Sequence, residues 1–370
     1  MTNRMAVALA AGALAGLAAC NDPTRPPDPP ATSPAPAVAA VEQQFTIRNL
    51  GSLGGGFSLG NGINEQGEVV GLALTSSGAD RAFLWRAGKG MRSLGTLGGP
   101  TSRARGINDR SEVVGTSEIR PGSQRAFLWS KAGGMRSLGT LGGDHSEANA
   151  INNRREVVGF CENRNGATRA FLWRPGRGMQ GLGTLGGSES GAEDINDATQ
   201  VVGSSQTADG NDHAFLWTAA RGMEDLGTLG GPTSVALGIS ETGVIVGTSS
   251  TAAGTDEAFL WTRGGGMRRL STPGGHPSAV ANAINTHRRV VGENEDFLLP
   301  FFWTAGGGVR GLPTLGGGQG QPNDLNEFGQ IAGTSVTAGG AVRAVLWTPT
   351  AGPLAVAPAD EGAAPEAAAP

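Results

Sequence analysis

Apolar positions along the chain come in short clusters, each bounded by glycine, asparagine, aspartate or serine. Residues 101–143 show the pattern. Ala104 and Ile107 fall in one cluster, Val113 and Val114 in the next, and Ala126, Phe127, Leu128 and Trp129 in a third; Met135, Leu138 and Leu141 make the fourth. No cluster has the length or the period of an amphipathic helix. Short aromatic and β-branched runs between turn residues predict strands instead.

The four clusters recur as a set. Trp85, Trp129, Trp173, Trp217, Trp261, Trp303 and Trp347 close the same phrase at intervals of 44, 44, 44, 44, 42 and 44 residues. A repeat of this length marks a solenoid, a propeller or an array. The ends of the chain decide between them. The fourth-strand phrase follows each of the first six tryptophans, from Leu94-Gly95-Thr96-Leu97 to Leu312-Pro313-Thr314-Leu315, and is missing after Trp347. A further copy, Leu50-Gly51-Ser52-Leu53, stands alone ahead of the first repeat. An open stack would carry atypical polar caps and has no use for such a permutation. A ring does, because the first strand then completes the last unit. The sequence therefore predicts an all-β fold over residues 45–354, a seven-bladed β-propeller closed by an N-terminal strand.

Within each blade the Ser-x-Ala-x-Gly-Ile strand, with small residues such as Ala104 and Gly106, suits the crowded axis, and the Phe-Leu-Trp strand should pack between blades. An asparagine follows the first-strand aliphatic residue in six copies (Asn64, Asn108, Asn152, Asn196, Asn285 and Asn326), with Ser240 in the other. That residue type suits a tight turn, where its side chain bonds the backbone. A metal role would need clustered carboxylates beside it. Glycine is abundant, 63 of 370 residues, but it sits at fixed offsets and so marks turns rather than disorder.

The N-terminal region reads as an export signal. Arg4 precedes an apolar run at residues 6–17, too short to span a bilayer, and the run ends in Leu17-Ala18-Ala19-Cys20. This matches the bacterial lipobox, so residues 1–19 are expected to be a signal peptide and Cys20 the lipidated N-terminus. Residues 20–44 are proline-rich and read as an extended tether, and residues 355–370 as an Ala/Pro-rich disordered tail. The expected location is the bacterial cell envelope, lipid-anchored, on its periplasmic or extracellular side. Cys161 is the other cysteine and is expected to be inert.

The phrase His213-Ala214-Phe215-Leu216-Trp217, followed by Gly222-Met223 and Asp225-Leu226-Gly227-Thr228-Leu229-Gly230-Gly231, resembles the bacterial HAF repeat of probable extracellular proteins. The resemblance covers about residues 45–350 and implies export but no reaction. The histidine is not needed by the repeat, since Arg81, Arg125, Arg169, Glu257 and Arg343 take its place in other copies.

No catalytic motif, P-loop or metal-ligand spacing is present, and no cofactor or metal is expected. The net charge of −4 gives no basic footprint for nucleic acid. Rigid blades with varied loops favour a non-catalytic binding or envelope-scaffold module, a monomer recognising protein or glycan. Two alternatives stand beside it: a propeller glycosidase or lyase in which two of Glu147, Glu189, Glu193 and Asp194 meet near the axis, and a purely structural envelope protein. The variable loops joining fourth strand to first include Asp144, His145 and His276, and the sixth repeat carries Phe297, Leu298 and Leu299 beside acidic residues. An exposed apolar loop of that kind would be a contact point; if it merely extends the third strand, it would not.

Overall fold

The computed structural model describes residues 45–270, 278–294 and 298–350, and no helix occurs among them. Seven antiparallel four-stranded sheets form the seven blades of a propeller. Blade 1 runs from axis to rim through Gly54–Ile63, Val69–Thr75, Asp80–Arg86 and Gly90–Ser93. The innermost strand of each blade touches the innermost strands of its two neighbours all the way round, from blade 1 to blade 7 and back. The fold class and the placing of the Ser-x-Ala-x-Gly-Ile strand at the axis are as the sequence predicts.

Closure occurs where the missing strand implied it would. Blade 7 consists of Gly316–Leu325, Ile331–Thr337 and Val342–Pro349, with Phe45–Asn49 pairing antiparallel as its outer strand in the register Phe45↔Pro349 to Asn49↔Val345. Phe45 reaches the core between blades 6 and 7, edge-on to Phe302 at 5.2 Å between centroids. Leu50 packs in the next core, between blades 7 and 1.

Each blade has an aliphatic face and an aromatic face, and each core joins one of each. Between blades 1 and 2, Val70, Ala82, Leu84 and Leu94 meet Ala104, Ile107, Val113, Phe127 and Trp129. The same sets recur around the ring. Arginines of the outer strand lie over the next blade's tryptophan: Arg48 over Trp85, Arg92 over Trp129 and Arg136 over Trp173, at 6.0, 4.9 and 5.5 Å. Trp261 and Trp303 are half-buried, unlike the other five tryptophans. The Val-Val-Gly phrase has a steric cause. The innermost strand bulges opposite it, and a methyl group at Gly159 would collide with the Glu147 carbonyl oxygen, as at Gly115 with Arg103.

The recurrent asparagine does more than turn the chain. Asn108 Oδ1 accepts from the amides of Arg110 and Glu112, closing the first-to-second-strand turn. Its Nδ2 donates to the Asn152 carbonyl of the next blade at 3.2 Å. Equivalent links run Asn64 to Asn108, Asn152 to Asn196, Asn196 to Ser240, Asn285 to Asn326 and Asn326 to Asn64, each 3.1 Å. The girdle breaks only between blades 5 and 6, because Ser240 has no amide to extend to Asn285.

Two outcomes follow from closure and girdle. Phe45→Ala should lose about 3–5 kcal/mol of unfolding free energy, and deletion of residues 1–55 should give aggregation where deletion of 1–41 does not; equal melting temperatures for the two truncations would contradict the clasp. Ser240→Asn should complete the girdle and add about 0.5–1.5 kcal/mol, read as a raised denaturation midpoint at unchanged m-value.

Candidate functional site

The ring has two unlike ends. Loops from fourth strand to next first strand, and from second to third, share the upper face; the asparagine turns lie on the lower face. Upper-face loops are pinned from beneath. Ser102 Oγ donates to the Gly95 carbonyl at 2.6 Å and accepts from the Ala82 amide at 2.9 Å. Ser58, Ser146, Ser190 and Ser234 do the same in their blades. A second set of serines, Ser117, Ser205, Ser249 and Ser335, accepts from Leu97, Leu185, Leu229 and Leu315. Cys161 takes this serine's place in blade 3, where its Sγ accepts from the Leu141 amide at 3.2 Å. Burial pushes its thiol up to about 11, so the thiolate is suppressed.

Third-strand arginines add a further clamp. Arg81, Arg125, Arg169 and Arg343 donate to the carbonyls of Pro100, Asp144, Ser188 and Gly56, at or just before the start of the neighbouring blade's innermost strand. His213, at the same position, pairs instead with Asp225 at 2.9 Å on its own blade. What the loops present outward then differs from blade to blade. Asp144 and His145, expected in a loop, lie near the start of the innermost strand of blade 3 (Gly142–Ile151), where the Asp144 side chain is 89% exposed. His145 is half-buried, its ring 6.0 Å from that of Phe160. Leu298 is half-buried in a turn with φ of 50°, while Leu299 opens the third strand of blade 6 (Leu299–Thr304) and is 43% exposed. Leu299 thus belongs to the strand and still faces water. Phe297, His276 and Cys20 lie outside the described residues.

Sequence reasoning did not foresee how the axis is lined. Asn61, Asn149, Asn282 and Asn323, at the bulge of the innermost strand, donate to carbonyls of the next blade: Ala104, Ala192, Pro322 and Gly60. Arg105, Glu193 and Leu237 replace that asparagine in blades 2, 4 and 5. Arg105 Nη2 pairs with Glu147 of blade 3. Asn149 Nδ2 also donates to Glu193 Oε2 at 3.1 Å. Glu147 and Glu193 therefore do come to adjacent innermost strands, whereas Asp194 is held by the backbone amides of Ile195 and Ile239 at 2.8 and 2.9 Å. Asp324 does the same for Leu325 and Ile63 across the closing seam. Glu189 lies near the start of the innermost strand of blade 4 (Gly186–Ile195), where its carbonyl accepts from Ser205.

Burial, with the charge of Glu147 and Asp194, pushes Glu193 up to about 7; burial and Asp194 do the same for Asp324. Both side chains keep partial solvent contact through the channel. Among the described residues no group of three or more His, Cys, Asp or Glu side chains is placed to hold a metal ion.

No family model matches the chain, and no curated protein matches its sequence. Solved structures match its shape. A streptogramin B lyase superposes with a TM-score of 0.51 at 12% identity, covering 84% of this chain and 99% of the lyase. An acylaminoacyl peptidase from Pyrococcus horikoshii gives 0.53 at 10% identity, covering 81% of this chain and 53% of the peptidase. The chain thus spans about half of that peptidase's length. At these identities the likeness is one of fold.

The channel carboxylates set a pH dependence. Their folded values lie above the ordinary carboxylate range, so the folded chain binds these protons more tightly than the unfolded chain. Their contribution is fully present below the unfolded values, near pH 4, and is lost as pH rises to about 7. The melting temperature should fall between pH 5 and 7, and Glu193→Gln should flatten that fall. Calorimetry across this range checks it; an unchanged slope would mean that Glu193 ionises as freely folded as unfolded.

Proposed function

We propose that this chain is an exported, lipid-anchored, non-catalytic binding module, held at the envelope through Cys20 and presenting its upper face to a protein or glycan. The observation that carries the reading is the contrast within that face. Repeated serine bonds, and arginine bonds in four blades, fix its segments from beneath, while the exposed residue at one repeat position varies: Gly56, Pro100, Asp144, Ser188, Pro232 and Gly318. Rigid scaffolds with variable loops are built for recognition. Exposed Leu299 adds an apolar contact point, and Phe297, two residues earlier in the sequence, is proposed to join it. The lipobox, the proline-rich segment and the likeness to HAF repeats support export and tethering. A second reading, a hydrolase or lyase working in the channel, draws on the Glu193 carboxyl, which burial and the nearby Glu147 push up to about 7.

Three results decide these readings. Cys20→Ala should move the chain from the membrane to the soluble fraction with its precursor uncleaved, and failure of labelled fatty acid to incorporate would remove the anchor. Photo-crosslinkers at Asp144 or Leu299 should give adducts in intact cells where those at Arg154 or Ala198, on the lower face, give none. Equal adducts from both faces, or none, would remove the upper-face assignment. Recovery of a bound glycan cleaved rather than intact would turn the module into an enzyme.

A further inference from the structure

The seven innermost strands are internal controls for one another, since each meets the same structural demand. At the bulge that demand is met by asparagine in blades 1, 3, 6 and 7. One sector departs from it and leaves polar atoms unmatched. Arg103, on the innermost strand of blade 2, makes no hydrogen bond or ion pair among the described residues, although burial and the charge of Arg105 lower its pKa. Arg105 Nε is buried without a hydrogen-bond partner, and so is Asn149 Oδ1 in blade 3. Thr116 Oγ1, opposite Arg103 in the ladder, is unmatched too, but so is its counterpart Thr334 in blade 7, so that position does not distinguish the sector. Glu193 accepts a bond from Asn149 alone. Unmatched buried donors and acceptors are costly and call for an explanation.

The innermost strands of blades 2 and 3, and those of blades 3 and 4, are in contact. Glu147 is bonded to Arg105, and its charge is felt by both Arg103 and Glu193. The sector offers guanidinium donors on blade 2 and oxygen acceptors on blades 3 and 4. Arg105 is engaged by Glu147, which leaves the Arg103 guanidinium as the fork without an ion-pair partner, and such a fork suits a carboxylate. The free acceptors require that the same molecule carry O–H donors. Val235 and Leu237, half-buried on the innermost strand of blade 5, provide an apolar wall next to Glu193 in ring order.

We propose that the innermost strands of blades 2, 3 and 4 form a channel site for a small hydroxylated carboxylate of the uronic-acid type, with the carboxylate on Arg103 and hydroxyls on Asn149 Oδ1 and Glu193. The site goes beyond the upper-face reading and stands without it.

Calorimetric titration of the full chain with sodium glucuronate, glucose and sodium acetate tests the assignment. Glucuronate should bind, with glucose and acetate each about tenfold weaker or more. Arg103→Gln should weaken glucuronate about tenfold or more and leave the melting temperature at or above that of the parent, since the arginine has no internal partner to lose. Absence of glucuronate binding overturns the site. Acetate binding as tightly as glucuronate reduces it to general anion attraction and overturns the hydroxyl half. Parent affinity in Arg103→Gln, or a clear drop in its melting temperature, removes Arg103 from ligand binding and makes it a structural residue.

Discussion

A propeller blade cannot bury either of its faces alone, and the fold depends on that. Val70, Ala82 and Leu84 of blade 1 are covered only because Phe127 and Trp129 of blade 2 lie over them. The demand passes from blade to blade until it returns to its start, so stability belongs to the closed ring. Residues 45–50 bear this demand at two places together. Phe45 completes the core between blades 6 and 7, Leu50 that between blades 7 and 1, and Arg48 lies over Trp85. Removing this strand therefore opens two cores while also exposing the long edge of Val342–Pro349.

Directional bonds on the lower face convert seven similar wedges into one register. The asparagine girdle is backed by a second, in which each blade's amide donates to the next blade's side chain: Glu65 to Asp109, Asp109 to Asn153, Asn153 to Asp197, Asp197 to Glu241, Thr286 to Glu327 and Glu327 to Glu65. Both girdles break at the same seam, between blades 5 and 6, where Ser240 and Thr286 stand. Of the two half-buried tryptophans, Trp303 packs in the core of this seam and Trp261 in the preceding one, between blades 4 and 5. Lost hydrogen bonding thus falls at the repeat whose tryptophan interval is 42 residues.

The architecture was legible because it is written several times over. Tryptophan spacing gave the number of blades, and the displaced fourth-strand phrase gave the closure, since both are properties of order along the chain. The turn role of Asn108 Oδ1 was legible for the same reason, being local. Its Nδ2 bond to Asn152 was not, because the partner lies a full repeat away and only ring geometry brings it near. Cys161 looked like a stray residue, yet it fills the position of Ser117, Ser205, Ser249 and Ser335, which alignment of the repeats by register reveals. Glu147 and Glu193 could be named but not paired, since whether two innermost strands turn their side chains toward each other depends on the bulge. Leu299 defied the choice between strand and contact point, for an upper-edge strand residue can be both.

The distribution of satisfied and unsatisfied groups gives the ring a functional direction. On the lower face, carboxylates that resemble a ring of cation ligands are already engaged: Asp109, Asp197, Glu241, Glu327 and Glu65 each accept a backbone amide from the preceding blade. Their polarity serves assembly. On the inner strands of blades 2 and 3 the reverse holds, where Arg105 Nε and Asn149 Oδ1 are buried without a hydrogen-bond partner. Polar groups in that state stabilise nothing within the chain. They gain when something else occupies the channel, and with the lower end committed to its girdles, the upper face is the side from which it would arrive. Loops that vary and inner strands that depart from the repeat therefore bear on one surface, and the lower face is left to hold the ring together.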